Sequence, residues 1–345
     1  MSSHQANGPA TMNPAQMTAV QYVEGPCLVL AGAGSGKTRV ITHKIARLLA
    51  PGPGGGLAPN QIAAITFTNK AAAEMRERAK ALIGARAAGK LLICTFHSLG
   101  VKLLREDGEA LGLKPQFSIL DADDVTGILR DAGGTTDAKQ ARHWQWTISL
   151  WKNQGLNSTQ ALSQAQNDDE QVAARVMRLY EERLAAYQAV DFDDLISLPL
   201  KLLAEHEHVR MKWQRQLHHV LVDEYQDTNA TQYELLKLLV GLQGVFTAVG
   251  DDDQSIYGWR GATLDNLKKL PQDYPHLKVI PLEQNYRSTS AILRAANNVI
   301  ATNPKLFQKT LWSDLGEGEP VKLLEGDNEE HEAERAVARF MALRM

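Results

Sequence analysis

Cysteine is scarce. Two occur in 345 residues, Cys27 and Cys94, far apart and outside any clustered spacing. That excludes a disulfide framework and a cysteine-rich zinc site, and it fits a reducing compartment. An excess of positive charge is also missing. Lys plus Arg number 37 against 40 Asp plus Glu, a net charge of −3. Bulk electrostatics therefore cannot carry nucleic-acid binding, which would need local grooves and stacking side chains. No apolar run reaches the roughly 18 residues that span a bilayer. The opening MSSHQANGPATMNPAQ lacks the apolar core of a secretory leader. A cytoplasmic protein with no membrane partner is the expectation. Hydrophobic residues at 44% and charged residues at 22% are ordinary globular usage, which argues against disordered, collagen-like and coiled-coil classes.

The chain shows instead an alternation of short apolar runs and helical stretches. CLVL (27–30) reads as a strand, AGAGSGKT (31–38) as a loop, and RVITHKIARLL (39–49) as a helix. PGPGGGLAP (51–59) is Pro and Gly punctuation, a loop. IAAITF (62–67) and LLICTF (91–96) read as further strands around a helical KAAAEMRERAKALI (70–83). From about 100 to 190 strand signals fade and helical spacing takes over, with Trp144, Trp146 and Trp151 in the middle. We expect these three to pack a helical insertion. Strand-like runs return at 218–225, 245–251 and 277–284, separated by helical stretches such as TQYELLKLLVG. Alternating strands and helices imply an α/β fold with a parallel sheet and crossover helices. Near the end, ILRAANNVI reads as helical and EPVKLLEG as strand-like.

AGAGSGKT carries the strongest chemical signal. A glycine-rich turn between a strand and a helix lets backbone N–H groups face a polyphosphate at the positive end of the helix dipole. Lys37 would reach the β- and γ-phosphates and the Thr38 hydroxyl would ligate Mg²⁺. The general pattern has Gly at position 31, where Ala31 stands. The turn then relies on Gly32, Gly34 and Gly36, with Ala33 and Ser35 between them. VDEYQD (222–227) is the second signal. Asp223, ending an apolar strand, would hold the metal, and Glu224 would take a proton from the attacking water. Alone, such an acidic pair is commonly a helix cap or solvated turn; the phosphate loop upstream favours the metal reading.

Together the blocks NPAQMTAV, AGAGSGKT, TFTNKAAAEM, CTFHS, LVDEYQDTN, VGDDDQSIYGWRGA and LEQNYRS, in that order, make the chain resemble the N-terminal half of the Rep/UvrD/PcrA-type superfamily-one DNA helicases, from about Met12 onward. The resemblance implies a RecA-like P-loop NTPase: a first RecA-like domain at 12–99 and 190–285, a helical subdomain inserted at 100–189, and the start of a second RecA-like domain at 286–345, after a flexible tail at 1–11. It implies ATP and Mg²⁺ as ligands. Gln16 matches the adenine-reading glutamine, its amide suited to a donor–acceptor pair. Gln254 matches the γ-phosphate sensor linked to DNA contacts. Arg287 matches an arginine on the γ-phosphate, a task suited to a permanently charged bidentate fork, and Tyr286 would stack on adenine. Arg39 reads equally as a nucleotide neighbour and as a solvated helix position. The strand-binding positions correspond to Phe67, Asn69, Thr95, His97, Tyr257, Trp259 and Arg260, where aromatic faces accept any base.

Other motifs are weaker. TNKA (68–71) lacks the Asp of a guanine-reading motif, and no LSGGQ-like stretch supports a transporter ATPase. His218 and His219 read as packing. DFDD (191–194) reads as a helix cap with an acidic first turn. The resemblance therefore implies an ATP-dependent single-stranded DNA translocase or helicase, with 3′→5′ movement, acting on single-stranded and 3′-tailed duplex DNA as a monomer or DNA-dependent dimer. Replication-fork proteins are further candidate partners. The later family blocks, including a second arginine finger worth about 10³–10⁵ in turnover, do not occur in these residues. Weak nucleotide binding, slow turnover and no unwinding are expected of this chain alone. Two alternatives stay open: a non-catalytic nucleotide- or DNA-binding module, and a subunit of a helicase–nuclease.

Overall fold

The computed structural model describes residues 11–241 and 244–344; of the expected tail at 1–11, residues 1–10 lie outside them. The chain divides after Leu282 into two compact units.

In the first unit the strands are β1 (Cys27–Ala31), β2 (Ile62–Thr66), β3 (Leu92–Thr95), β4 (Ser118–Ile119), β5 (Ala189–Val190), β6 (His219–Val222), β7 (Phe246–Gly250) and β8 (Lys278–Leu282). Six of them form one parallel sheet in the order β3-β2-β6-β7-β1-β8, and β4 pairs with β5 alone. The runs that build β1, β2, β6 and β7 are buried at every position. That is the pattern of a parallel sheet covered on both faces. One face, with Val29, Ala64, Leu221 and Val249, shares a core with helices α1 (Pro14–Gln21), α2 (Lys37–Leu49) and α3 (Asn69–Ile83). Opposite-parity residues such as Leu28, Leu30, Ala63 and Val220 are equally buried.

After the one-turn α4 (Ala85–Ala88), helix α5 (Phe96–Asp107) leaves β3. Helices α6 (Ala122–Gly133), α7 (Ala138–Asn153), α8 (Ser158–Gln164) and α9 (Asp168–Tyr187) follow. They hold their own apolar cluster, from Val125 to Ala189, around Trp144, Met177 and Tyr180. The chain returns through α10 (Asp194–Glu205), α11 (Glu207–Gln216), α12 (Ala230–Val240) and α13 (Asp265–Asp273). Helix α10 packs against α5 and α12. Gly100 on α5 is required there, because a Cβ would sit 1.7 Å from the Leu195 carbonyl oxygen.

The six strands of the main sheet fall where the apolar runs predict them, whereas the short β4 and β5 lie at 118–119 and 189–190, where no strand was expected. The expected strand in 319–326 does not form, and no ladder partner lies beside it among the described residues. The second unit instead contains α14 (Ser290–Ile300) and α15 (Glu329–Arg344). No helix among the described residues is long and apolar enough to cross a membrane. Cys27 and Cys94 are both free thiols.

Candidate nucleotide site and nucleic-acid groove

Parallel registry aligns the carboxyl ends of three neighbouring strands. Leu30 of β1 pairs with Gly250 of β7, and Val222 of β6 pairs with Ala248. The loops that follow all emerge at one sheet edge, where ligands bind in open α/β sheets. They carry the glycine-rich turn, the Asp223–Glu224 pair and the 251–254 segment.

The turn is shaped for an anion. Gly34 and Gly36 adopt positive φ, 70° and 87°, and Gly36 caps α2, which begins at Lys37. The Ser35 Oγ is buried without a hydrogen-bond partner among the described residues. Ala31 is the last residue of β1 and fully buried, and Gly32 after it is buried too, so the partly exposed stretch of the turn begins at Ala33. Lys37 Nζ donates to Glu224 Oε2 at 2.9 Å. This contact unites the turn and the acidic pair across 187 residues of sequence. Thr38 and Arg39 follow on the first turn of α2, half-buried. Gln16 is 1% exposed. Its amide donates to the Ser35 carbonyl at 2.8 Å and accepts the Asn13 N–H at 3.1 Å. It therefore grips the turn while capping α1.

Asp223 is buried, its Oδ1 accepting the Glu224 N–H at 3.0 Å. Burial, and then the Glu224 charge, push its carboxyl up to about 6. Glu224 holds a left-handed backbone at φ 49°, a conformation costing a non-glycine residue about 1–3 kcal/mol and typical of functional turns. The Thr38 hydroxyl and the Asp223 carboxylate are hard oxygen donors, the set Mg²⁺ takes. Gln254 donates its side-chain amide to the Asp251 carboxylate.

A groove of about 440 Å³ opens beside this edge, lined by Phe67, His97, Phe192, Trp259 and Trp146 among others. Phe67 and Tyr257 rings lie 5.0 Å apart, Tyr257 and Trp259 6.4 Å, and His97 and Phe192 6.0 Å. Trp259 is 66% exposed, which removes it from the core. Burial holds the His97 imidazole below its ordinary range, hence neutral. Asn69 opens α3 on the surface. Thr95 caps α5, its hydroxyl accepting the Ser98 N–H. The Arg260 side chain lies outside the described set. Tyr286 and Arg287 belong to the second unit, where Asn285 Oδ1 accepts the N–H groups of Arg287 and Ser288.

Two expectations are corrected. Trp144 is buried and Trp151 packs against the helical cluster, but Trp146 is 59% exposed and faces the groove. At a period of 3.6 residues it falls on a different side of α7 from Trp144. DFDD also does more than cap. Lys152 Nζ, 5% exposed, pairs with Asp191 at 2.6 Å and Asp194 at 2.7 Å, and Tyr180 donates to Asp191 at 2.8 Å. Phe192 between them turns out to the groove. Sequence reading missed Phe192, Lys152 and Gln226; an aromatic flanked by acids was the only signal for the first.

The model of the UvrD/REP helicase N-terminal domain matches residues 12–275, and that of the UvrD-like helicase C-terminal domain matches 280–344. The chain is 51% identical over 334 residues to the ATP-dependent DNA helicase Rep of Escherichia coli K12, covering 96% of this chain and 49% of that protein. It is 44% identical over 322 residues to the ATP-dependent DNA helicase PcrA of Bacillus subtilis 168, covering 92% and 43%. The chain thus spans about half the length of the curated relatives it matches.

Proposed function

The chain belongs to the UvrD/Rep helicase family, and on that premise we propose that the intact protein is an ATP-driven translocase on single-stranded DNA that opens 3′-tailed duplexes with 3′→5′ polarity. The observation that carries the reading is the 2.9 Å contact between Lys37 and Glu224 at the edge where the acidic pair meets the glycine-rich turn.

In this reading ATP lies along the turn with its phosphates on the backbone N–H groups and Lys37. Glu224 takes a proton from water as its oxygen attacks the γ-phosphorus. The bond from that phosphorus to the bridging oxygen breaks, and the oxygen leaves with ADP. Thr38 and Asp223 would hold Mg²⁺, which neutralises developing phosphate charge when bound. Gln16 would face adenine, Arg39 flanks the turn, and Tyr286 and Arg287 take the adenine and γ-phosphate roles their motif implies. Phe67, Asn69, Thr95, His97, Tyr257, Trp259 and Arg260 would hold the strand. Stacking without base reading suits a protein of net negative charge. Gln254 links the two sites through the loop that ends in Trp259.

Phosphate release by the intact protein with and without single-stranded DNA tests this. Stimulation by DNA is the expected result. Nucleotide binding with no release under either condition would support a binding module instead.

A further inference from the structure

The segment between Glu224 and Asn229 touches both the acidic pair and the groove. Gln226 is its buried centre, 1% exposed. Its Nε2 donates to Glu224 Oε2 at 2.9 Å, and Asp227 Oδ2 lies 3.4 Å away on the same nitrogen. Its Oε1 accepts the Asp251 N–H at 2.9 Å. The opposite amide orientation would set an oxygen against two carboxylates, so the network itself assigns the atoms. Gly250, just before Asp251, has no room for a Cβ: one would lie 2.7 Å from Gln226 Oε1. Downstream, Asp227 lines the groove. Thr228 and Asn229 anchor the stretch after Trp259: the Thr263 N–H donates to the Thr228 carbonyl, the Asn266 amide donates to the carbonyls of both, and Asn229 bridges to Ala262.

We propose that Gln226 is a positioning residue for Glu224, locking the carboxylate to the 251–254 loop and to the groove-lining segment. The proposal rests on the ATPase reading above. Glu224 Oε2 now has two donors, Lys37 and Gln226. When Lys37 turns to phosphate, Gln226 keeps that oxygen occupied, so Oε1 is the atom that receives the water proton. Movement of the Trp259 stretch reaches the base through Asp227 and Gln226.

Gln226→Met in the intact protein tests it, since Met keeps the length and removes both polar atoms. The DNA-stimulated kcat should fall about 10- to 100-fold, the penalty of a misplaced catalytic group, with KM for ATP within about 3-fold of wild type. The Asp251 amide, having lost its acceptor, should exchange with solvent at least about 10-fold faster. An unchanged kcat, a matching loss of ATP affinity, or unchanged Asp251 exchange each overturns the proposal. If wild-type protein releases no phosphate, the ATPase reading fails, and the exchange measurement still decides the Gln226 link.

Discussion

Lys37 Nζ and Glu224 Oε2 lie 2.9 Å apart, a cation from the start of α2 paired with an anion from the end of β6. The Lys37 side chain is 13% exposed and that of Glu224 37%. In the proposed reading a phosphate would take Lys37 away from Glu224 to bind in the turn. The pair would then compete with substrate and restrain the base, and nucleotide entry would release both.

Glu224→Gln should therefore abolish turnover while leaving ATP affinity equal to wild type or higher, because the competing anion is gone. Lys37→Ala should weaken ATP binding as well as turnover. Titration with a fluorescent ATP analogue, alongside phosphate release, separates the two. Weaker ATP binding by Glu224→Gln would contradict the competition.

Trp259→Ala should weaken single-stranded DNA binding by about 1–3 kcal/mol, equally for all sequences, the value of one stacked base. Trp146→Ala should act in the same direction because its exposed ring lines the same groove. Fluorescence anisotropy with homopolymer strands checks both. A normal affinity for Trp146→Ala would return that residue to bare surface.

These residues also mark how far the sequence could be read. The sheet was legible because four of its strands are buried on both faces and therefore appear as unbroken apolar runs. The turn was legible because only glycine serves positions with φ of 70° and 87°. Long-range partners were not. Nothing in DFDD announces a lysine 39 and 42 residues away, and nothing around Gln226 announces the Asp251 backbone. Trp146 failed for a local reason, since the 144–151 stretch shows three tryptophans but only helical phase separates the outward one.

Lys152→Met should destabilise the fold by about 3–5 kcal/mol, the penalty of breaking a buried ion pair from one side. Against burial, Asp194 and Asp191 hold Lys152 protonated above its ordinary range. Burial and Asp191 already push Asp194 up to about 7. Without the ammonium both carboxylates would favour protonation in the folded state. The variant's deficit should therefore shrink as pH falls, and urea melts at pH 5 and pH 8 would show the difference.

Lys44 makes the opposite case. It is fully buried on α2, its ammonium without a hydrogen-bond partner among the described residues. The Tyr22 ring lies 6.0 Å away, and Cys27 and His219 are its electrostatic neighbours. Burial pulls its pKa down to about 8 from 10.5. Between these two values the unfolded chain binds the proton and the folded chain does not, so the Lys44 contribution to stability rises with pH. It is lost as pH falls through about 8, leaving a buried charge at pH 7. At about 1.4 kcal/mol per unit the full effect is on the order of 3 kcal/mol. Lys44→Met should accordingly be more stable than wild type at pH 7, and the advantage should fade above pH 8. Chemical denaturation of both proteins from pH 7 to 10.5 measures it, because the difference cancels groups common to the two. A Met variant less stable at pH 7 would mean that the ammonium gains more from its surroundings than burial takes away.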